Sequence, residues 1–305
     1  MRLTCTSDTT NLGSWWYNPE IGRLQYSYCG GVWSSGGSLI TARCGLGGAG
    51  TQNAGLAFGG SGGEACTEEY NGTSWCTGGD LINARVRLAG AGTQNAGLAF
   101  GGDYVGVLSC TEEYNGASWC TGGEMITARA DLGGAGTQNA GLAFGGYPGA
   151  SCTEEYNGSS WATCGALISA RSGLAGAGTQ DAALAFGGRL GSPSYAISTG
   201  TEEYNGSTNI WSVGGALSIA RYGLAGAGTQ NAGLAFGGFD GSILSSTEEY
   251  DGTSWSSGGA LSTARYSLAG AGTQNSGLAF GGVVAGIVPV SCTEEYNVGI
   301  QTCTL

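Results

Sequence analysis

From residue 43 onward the chain repeats itself, and the spacing inside each copy is constant. Arginines stand at Arg43, Arg85, Arg129, Arg171, Arg221 and Arg265, and phenylalanines at Phe58, Phe100, Phe144, Phe186, Phe236 and Phe280, so each Arg precedes its Phe by 15 residues. The copy from Ala264 to Gly282 shows the unit most clearly, with Leu268-Ala269-Gly270-Ala271-Gly272-Thr273-Gln274-Asn275 leading into Gly277-Leu278-Ala279-Phe280-Gly281-Gly282. Each copy then crosses a variable stretch into Thr-Glu-Glu-Tyr, and five copies go on to a tryptophan. A spacing without insertions in all six copies implies a fixed two-stranded hairpin.

Successive arginines are 42 to 50 residues apart. That period matches the blades of a β-propeller and exceeds leucine-rich or ankyrin units. Glycine, 63 residues of 305, recurs every few positions, which helix interiors tolerate poorly. We read an all-β unit of four strands. Strand A is the Leu-Ala-Gly-Ala-Gly run and strand B is Gly-Leu-Ala-Phe. Strand C is Thr-Glu-Glu-Tyr, which turns through Asn-Gly or Asp-Gly, a strong hairpin signal, into strand D with its tryptophan. Small residues on A and B suit the crowded ring centre, and Tyr and Trp fill the wider outer gaps.

An apolar strand ending in Gly-Gly, then Tyr, Trp and Arg, resembles the Kelch repeat, over about residues 33 to 305. The nearly identical Gly-Ala-Gly-Thr-Gln and Thr-Glu-Glu-Tyr-Asn-Gly arrays also resemble repeat proteins of tailed phages. The first resemblance implies a Kelch-like propeller and the second a virion or tail-associated protein. Kelch propellers include galactose oxidase-like enzymes, but their copper needs histidine, and this chain has none.

The chain reads as one propeller domain over 1–305, with six Kelch-like repeats in 34–305 and a degenerate blade or closure segment in 1–33. Each Trp precedes the next Arg by ten residues, from Trp33 to Arg43 through Trp255 to Arg265. Trp33 is therefore expected on the outer strand of whatever blade precedes the first repeat. Segments 2–6, 14–18, 22–28 and 32–33 are four candidate strands. Because the last copy has its own candidate outer strand around Ile300 to Leu305, the count favours seven blades. The alternative is a six-bladed ring in which the N-terminal segment closes the last blade.

Composition excludes several functions. The net charge is −12, every basic residue is arginine, and histidine is absent. Phosphate neutralisation needs a basic stripe, so no nucleic-acid partner is expected. Without imidazole there are no Ser-His triads, Cys-His dyads or histidine metal sites. No Cys-x-x-Cys spacing occurs, and neither a metal nor a cofactor is implied. No apolar run approaches the ~20 residues of a membrane helix and no signal segment opens the chain, so we expect a soluble chain without membrane insertion.

Cys66, Cys110, Cys152 and Cys292 directly precede Thr-Glu-Glu-Tyr, while Cys76, Cys120, Cys164 and Cys303 follow on the next strand. Copies that lack the first cysteine lack the second as well. This paired loss suggests four cross-strand disulfides, Cys66–Cys76, Cys110–Cys120, Cys152–Cys164 and Cys292–Cys303, with free thiols as the alternative. Bridges would favour a virion or extracellular setting. Cys5, Cys29 and Cys44 have no evident partners. In each Glu pair the neighbours point to opposite faces, so they form no carboxylate dyad. One is expected to meet an Arg or a backbone amide, and the other water.

Function is expected where the copies differ. From Phe to Tyr the interval is 12, 14, 12, 18, 14 and 16 residues in successive copies, and these B-to-C loops should emerge on the same face as the D-to-A linkers. Tyr104, Tyr147, Arg189, Tyr195, Phe239, Asp240, Ile243 and Val284 are the candidate binding residues there, able to stack on sugars or contact protein. No catalytic residue is assigned. The sequence points to a non-enzymatic adhesin of a phage tail or virion that recognises a host surface glycan or protein. Two other readings are a structural subunit that assembles with virion proteins or as a homo-oligomer, for which Trp15 and Trp16 are either an anchor or, the favoured role, core packing, and a carboxylate-dependent glycosidase.

Overall fold

The computed structural model describes residues 3–4, 14–19, 22–61, 65–148, 151–192 and 194–304. Six four-stranded antiparallel units stand around one axis. In the first, Gly47–Thr51, Ala54–Phe58, Thr67–Tyr70 and Trp75–Thr77 run from the axis outward as strands A to D. Their register pairs Ala57 with Gly48 and Glu68, and Tyr70 with Trp75. The next four repeats build the same blade, so the molecule is an all-β propeller.

Glycine and alanine line the axis because neighbouring A strands nearly touch. A Cβ on Gly90 would lie 2.6 Å from the carbonyl oxygen of Gly48 in the preceding blade. The Gly-Gly that ends strand B has a different cause. Gly59 and Gly60 both take positive φ (66° and 94°) to turn away from the sheet, and a side chain on Gly59 would meet the carbonyl of Arg85 at 2.7 Å. Farther out, each Trp fills a gap between blades. Trp75 lies 4.9 Å from Tyr70 in its own blade and 5.0 Å from Phe280 in the preceding one, centroid to centroid.

The ring closes with six blades and not seven: the alternative holds, in which the N-terminal segment closes the last blade. In the last repeat the Asn-Gly turn is replaced by Asn297-Val298-Gly299 and no tryptophan follows. The chain therefore runs on as a single strand, Thr293–Thr304, instead of folding back. Arg23–Ser35 pairs antiparallel along it, opposing Trp33 to Tyr296. Trp33 thus takes the place that Trp75 holds beside Tyr70, packing 4.9 Å from Tyr296 and 5.0 Å from Phe236. Of the four N-terminal segments, Leu3–Thr4 and Ser14–Asn18 extend this last sheet outward and build no further blade. The side chains of Trp15 and Trp16 lie outside the described residues.

Strand register also corrects the cysteine pairing. Cys76 opposes Glu69, and Cys120 opposes Glu113, so Cys66 and Cys110 lie three positions along the strand from their expected partners. Cys164 opposes Thr153, which puts Cys152 one position off and on the other face. Cys66, Cys76, Cys110, Cys120, Cys152, Cys164 and Cys292 are all free thiols. Cys292 directly precedes the strand that contains Cys303, so no hairpin joins the two. The Cys303 side chain lies outside the described residues.

Candidate binding face

Each blade is held together and locked to its neighbours by the same side chains in every copy. The first Glu of each pair is buried and meets the repeat Arg at 2.7–3.2 Å: Glu68 with Arg43, Glu112 with Arg85, Glu154 with Arg129, Glu202 with Arg171, Glu248 with Arg221 and Glu294 with Arg265. It also accepts linker amides, as Glu68 does from Ile40 and Thr41. The second Glu does not face water freely. It accepts the tyrosine hydroxyl of the next blade, Tyr114 to Glu69 at 2.6 Å and so on around to Tyr70, which donates to Glu295 at 2.6 Å. Gln94 donates to the carbonyls of Gly55 and Tyr70, and Trp119 donates to Thr67, each across the same interface. All twelve repeated glutamates are thereby engaged in holding the frame.

What the frame leaves free is the face where D-to-A linkers and B-to-C loops emerge together. The two residues after each repeat Arg lie there, and they differ in every copy: Cys44-Gly45, Val86-Arg87, Ala130-Asp131, Ser172-Gly173, Tyr222-Gly223 and Tyr266-Ser267. The first of each pair bridges to its B-to-C loop, as Val86 does to Asp103 and Tyr222 to Phe239. The second sits at the channel mouth with φ between +52° and +62°. That left-handed conformation turns its amide toward the carbonyl of the equivalent residue in the preceding blade. Arg87 donates to Gly45, Asp131 to Arg87, Gly173 to Asp131, Gly223 to Gly173, Ser267 to Gly223 and Gly45 to Ser267, at 2.6–2.9 Å. Six backbone hydrogen bonds thus close a circle around the axis, above a ring of buried leucines that runs from Leu46 to Leu268. Only backbone atoms make this circle, so its side chains can differ from copy to copy within what a left-handed φ admits.

The two sides of the mouth carry different chemistry. Over blades two and three, Arg87 holds Asp103 at 2.6 Å and Asp131 at 3.2 Å. Burial pushes the Asp131 carboxyl above its ordinary pKa, and Arg87 opposes that shift. Over blades four to six, Arg189 lies 4.9 Å above the Tyr222 ring. Tyr222 meets Phe239 edge-on at 5.6 Å, and Phe239 meets Tyr266 at 5.6 Å. The result is a cation and three aromatic rings in one continuous belt.

The expected binding residues are distributed over this face in groups. Tyr147, Arg189 and Tyr195 come together in one groove, along with Ser172. Phe239 belongs to the aromatic belt. Tyr104 is exposed in a separate shallow groove with Ile82 and Val105. Asp240 shapes its loop by accepting the Ser242 amide at 2.8 Å, Ile243 bridges back to Phe239, and Val284 pairs with Val288. Loop length alone did not point to Arg87, Asp131, Tyr222 and Tyr266. Aligning the copies at the two positions after the repeat Arg would have exposed them. Among the described residues no cluster of three or more Cys, Asp or Glu gathers to hold a metal ion.

No family model and no curated protein matches the chain. Among solved structures it is similar to one titled "Structure of YjhT", with a TM-score of 0.73 at 15% identity, over 88% of this chain and 100% of that one. At that identity the likeness is one of fold.

Proposed function

We propose that the chain is a non-enzymatic binding module that engages a glycan or protein of a host surface through its loop face. One observation carries this reading: six copies that agree throughout their interior all diverge at the channel mouth and in the loops around it. Chemistry that differs from blade to blade on a rigid base suits recognition of an asymmetric ligand. The repeated glutamates are committed to Arg and Tyr partners, which supports binding over carboxylate-driven hydrolysis. The likeness of the repeat to phage arrays is what favours a virion or extracellular adhesin. Glycan-array and host-cell binding should fall at least tenfold when the longest loop, residues 189 to 200, is exchanged for the loop after Phe144. Unchanged binding would remove this face from the reading.

A structural assembly subunit is the second reading. Ile40, Ile82, Ile126 and Ile168, each 56–59% exposed, repeat on four adjacent blades and favour it. Light scattering tests its homo-oligomeric form, which requires a mass above that of one chain.

A further inference from the structure

Arg189 is singular among the arginines whose side chains are described. Six others are buried against glutamate and Arg87 is held by two aspartates. Arg189 is exposed and has no carboxylate partner among the described residues. In a chain of net charge −12 an uncompensated guanidinium on the loop face is a local exception to the surrounding field.

Its position is rigid. Arg189 and Leu190 pair with Arg171 and Ser172 in a short ladder, and Arg189 also bridges to Ile197. The Leu190 amide donates to Ala196 at 2.9 Å and the Gly191 amide to Ala170 at 3.0 Å. The guanidinium carbon lies 4.9 Å from the centre of the Tyr222 ring, a cation–π contact that restrains the side chain. A guanidinium is planar and presents its paired N–H donors as a fork, the geometry that binds a carboxylate in bidentate fashion.

The groove beside it supplies the other half of a site. Tyr147 and Tyr195, each 61% exposed, and Ser172 line it, together with Gly146, Leu190 and Gly191. No acidic residue lines it; the charge of the remaining cation at its wall, Arg171, is matched by Glu202. Its volume is about 290 Å³, at the lower end of the roughly 300–1,000 Å³ typical of small-molecule sites. Two tyrosines offer flat apolar rings with polar tips. These suit a ring that is apolar on its faces and hydroxylated at its edge.

From these residues we propose that the groove between the third and fourth blades binds a carboxylated sugar residue, with the carboxylate on Arg189 and the sugar ring against Tyr147 and Tyr195. This assignment rests on the proposed binding role of the loop face and names the chemistry recognised there.

The test is calorimetry of the full chain with tri- to hexasaccharides of galacturonate, glucuronate and mannuronate, each paired with its carboxyl-reduced counterpart. At least one uronate series should bind, and reduction of its carboxyl to a primary alcohol should weaken binding at least tenfold. Arg189→Gln should cause a similar loss while the thermal midpoint stays unchanged, and Arg189→Lys should retain part of the affinity. Tyr195→Ala should weaken acid and reduced forms by the same factor. Uronate binding that survives Arg189→Gln, or absence of binding by every uronate at millimolar concentration, overturns the assignment. Loop-dependent binding of a neutral glycan or a protein overturns it too, yet leaves the proposed role of the face standing.

Discussion

Between the blades every copy places the same groups at nearly the same distances, whereas on the loop face no two copies present the same pair of residues at the channel mouth. The difference lies in which atoms carry the structure. In the interior, side chains make the contacts: Arg with Glu, Tyr with Glu, Gln with carbonyls, Trp with Thr. A change there breaks a bond between neighbours. At the mouth the backbone makes the contacts, through six amide-to-carbonyl bonds in a circle, so the side chains can diverge without opening the ring.

Arg129 and Arg87 put that comparison into numbers. Arg129 is fully buried with one carboxylate, and Arg87 is 44% exposed with two. A count of ion pairs would rank Arg87 as the more important, and burial ranks them the other way. Arg129→Ala should destabilise the chain by about 3–5 kcal/mol in urea denaturation, because it leaves Glu154 buried without its cation.

Alkaline pH should act next, and on the interior alone. Burial, and then the glutamate acceptor, push the hydroxyls of Tyr70, Tyr114, Tyr156 and Tyr250 up to about 12. An unfolded tyrosine ionises near 10, so between pH 10 and 12 the unfolded chain binds fewer protons than the folded one. Stability should therefore be complete below pH 10 and fall as pH rises toward 12. Urea midpoints across this range, followed with tyrosinate absorbance, read the effect. A midpoint that stays flat to pH 12 would remove the Tyr–Glu links from the frame.

The smallest effect belongs to the face. Arg87→Ala should cost at most about 1 kcal/mol in the same urea assay. A loss as large as that of Arg129→Ala would erase the distinction between frame and face.

Much of the frame was legible in the sequence, because a fixed Arg-to-Phe interval and Asn-Gly turns specify hairpins locally. The blade count was not, since closure depends on a contact between Trp33 and Tyr296, 263 positions apart in sequence. The missing turn at Asn297-Val298, the absent tryptophan after it and the unclaimed Trp33 ten residues before Arg43 were the local signs of it. The disulfide expectation followed cysteine co-occurrence and failed on register, which shifts Cys66 three positions from Cys76's partner Glu69. Loop length located Arg189, Tyr195 and Phe239 on the face. It passed over Tyr222 and Tyr266 because they lie inside the interval of constant length, where only residue identity varies.

The most direct measurement uses a chain whose six mouth pairs are all set to Ala-Gly and whose six B-to-C loops are all the one that follows Phe144. Binding of this chain on the same glycan arrays and host cells, checked to unfold within ~2 kcal/mol of the parent, tests whether frame and face are separable. Loss of all ligand binding by a ring of undiminished stability is the expected result. Retained binding, or a chain that no longer folds, would contradict it.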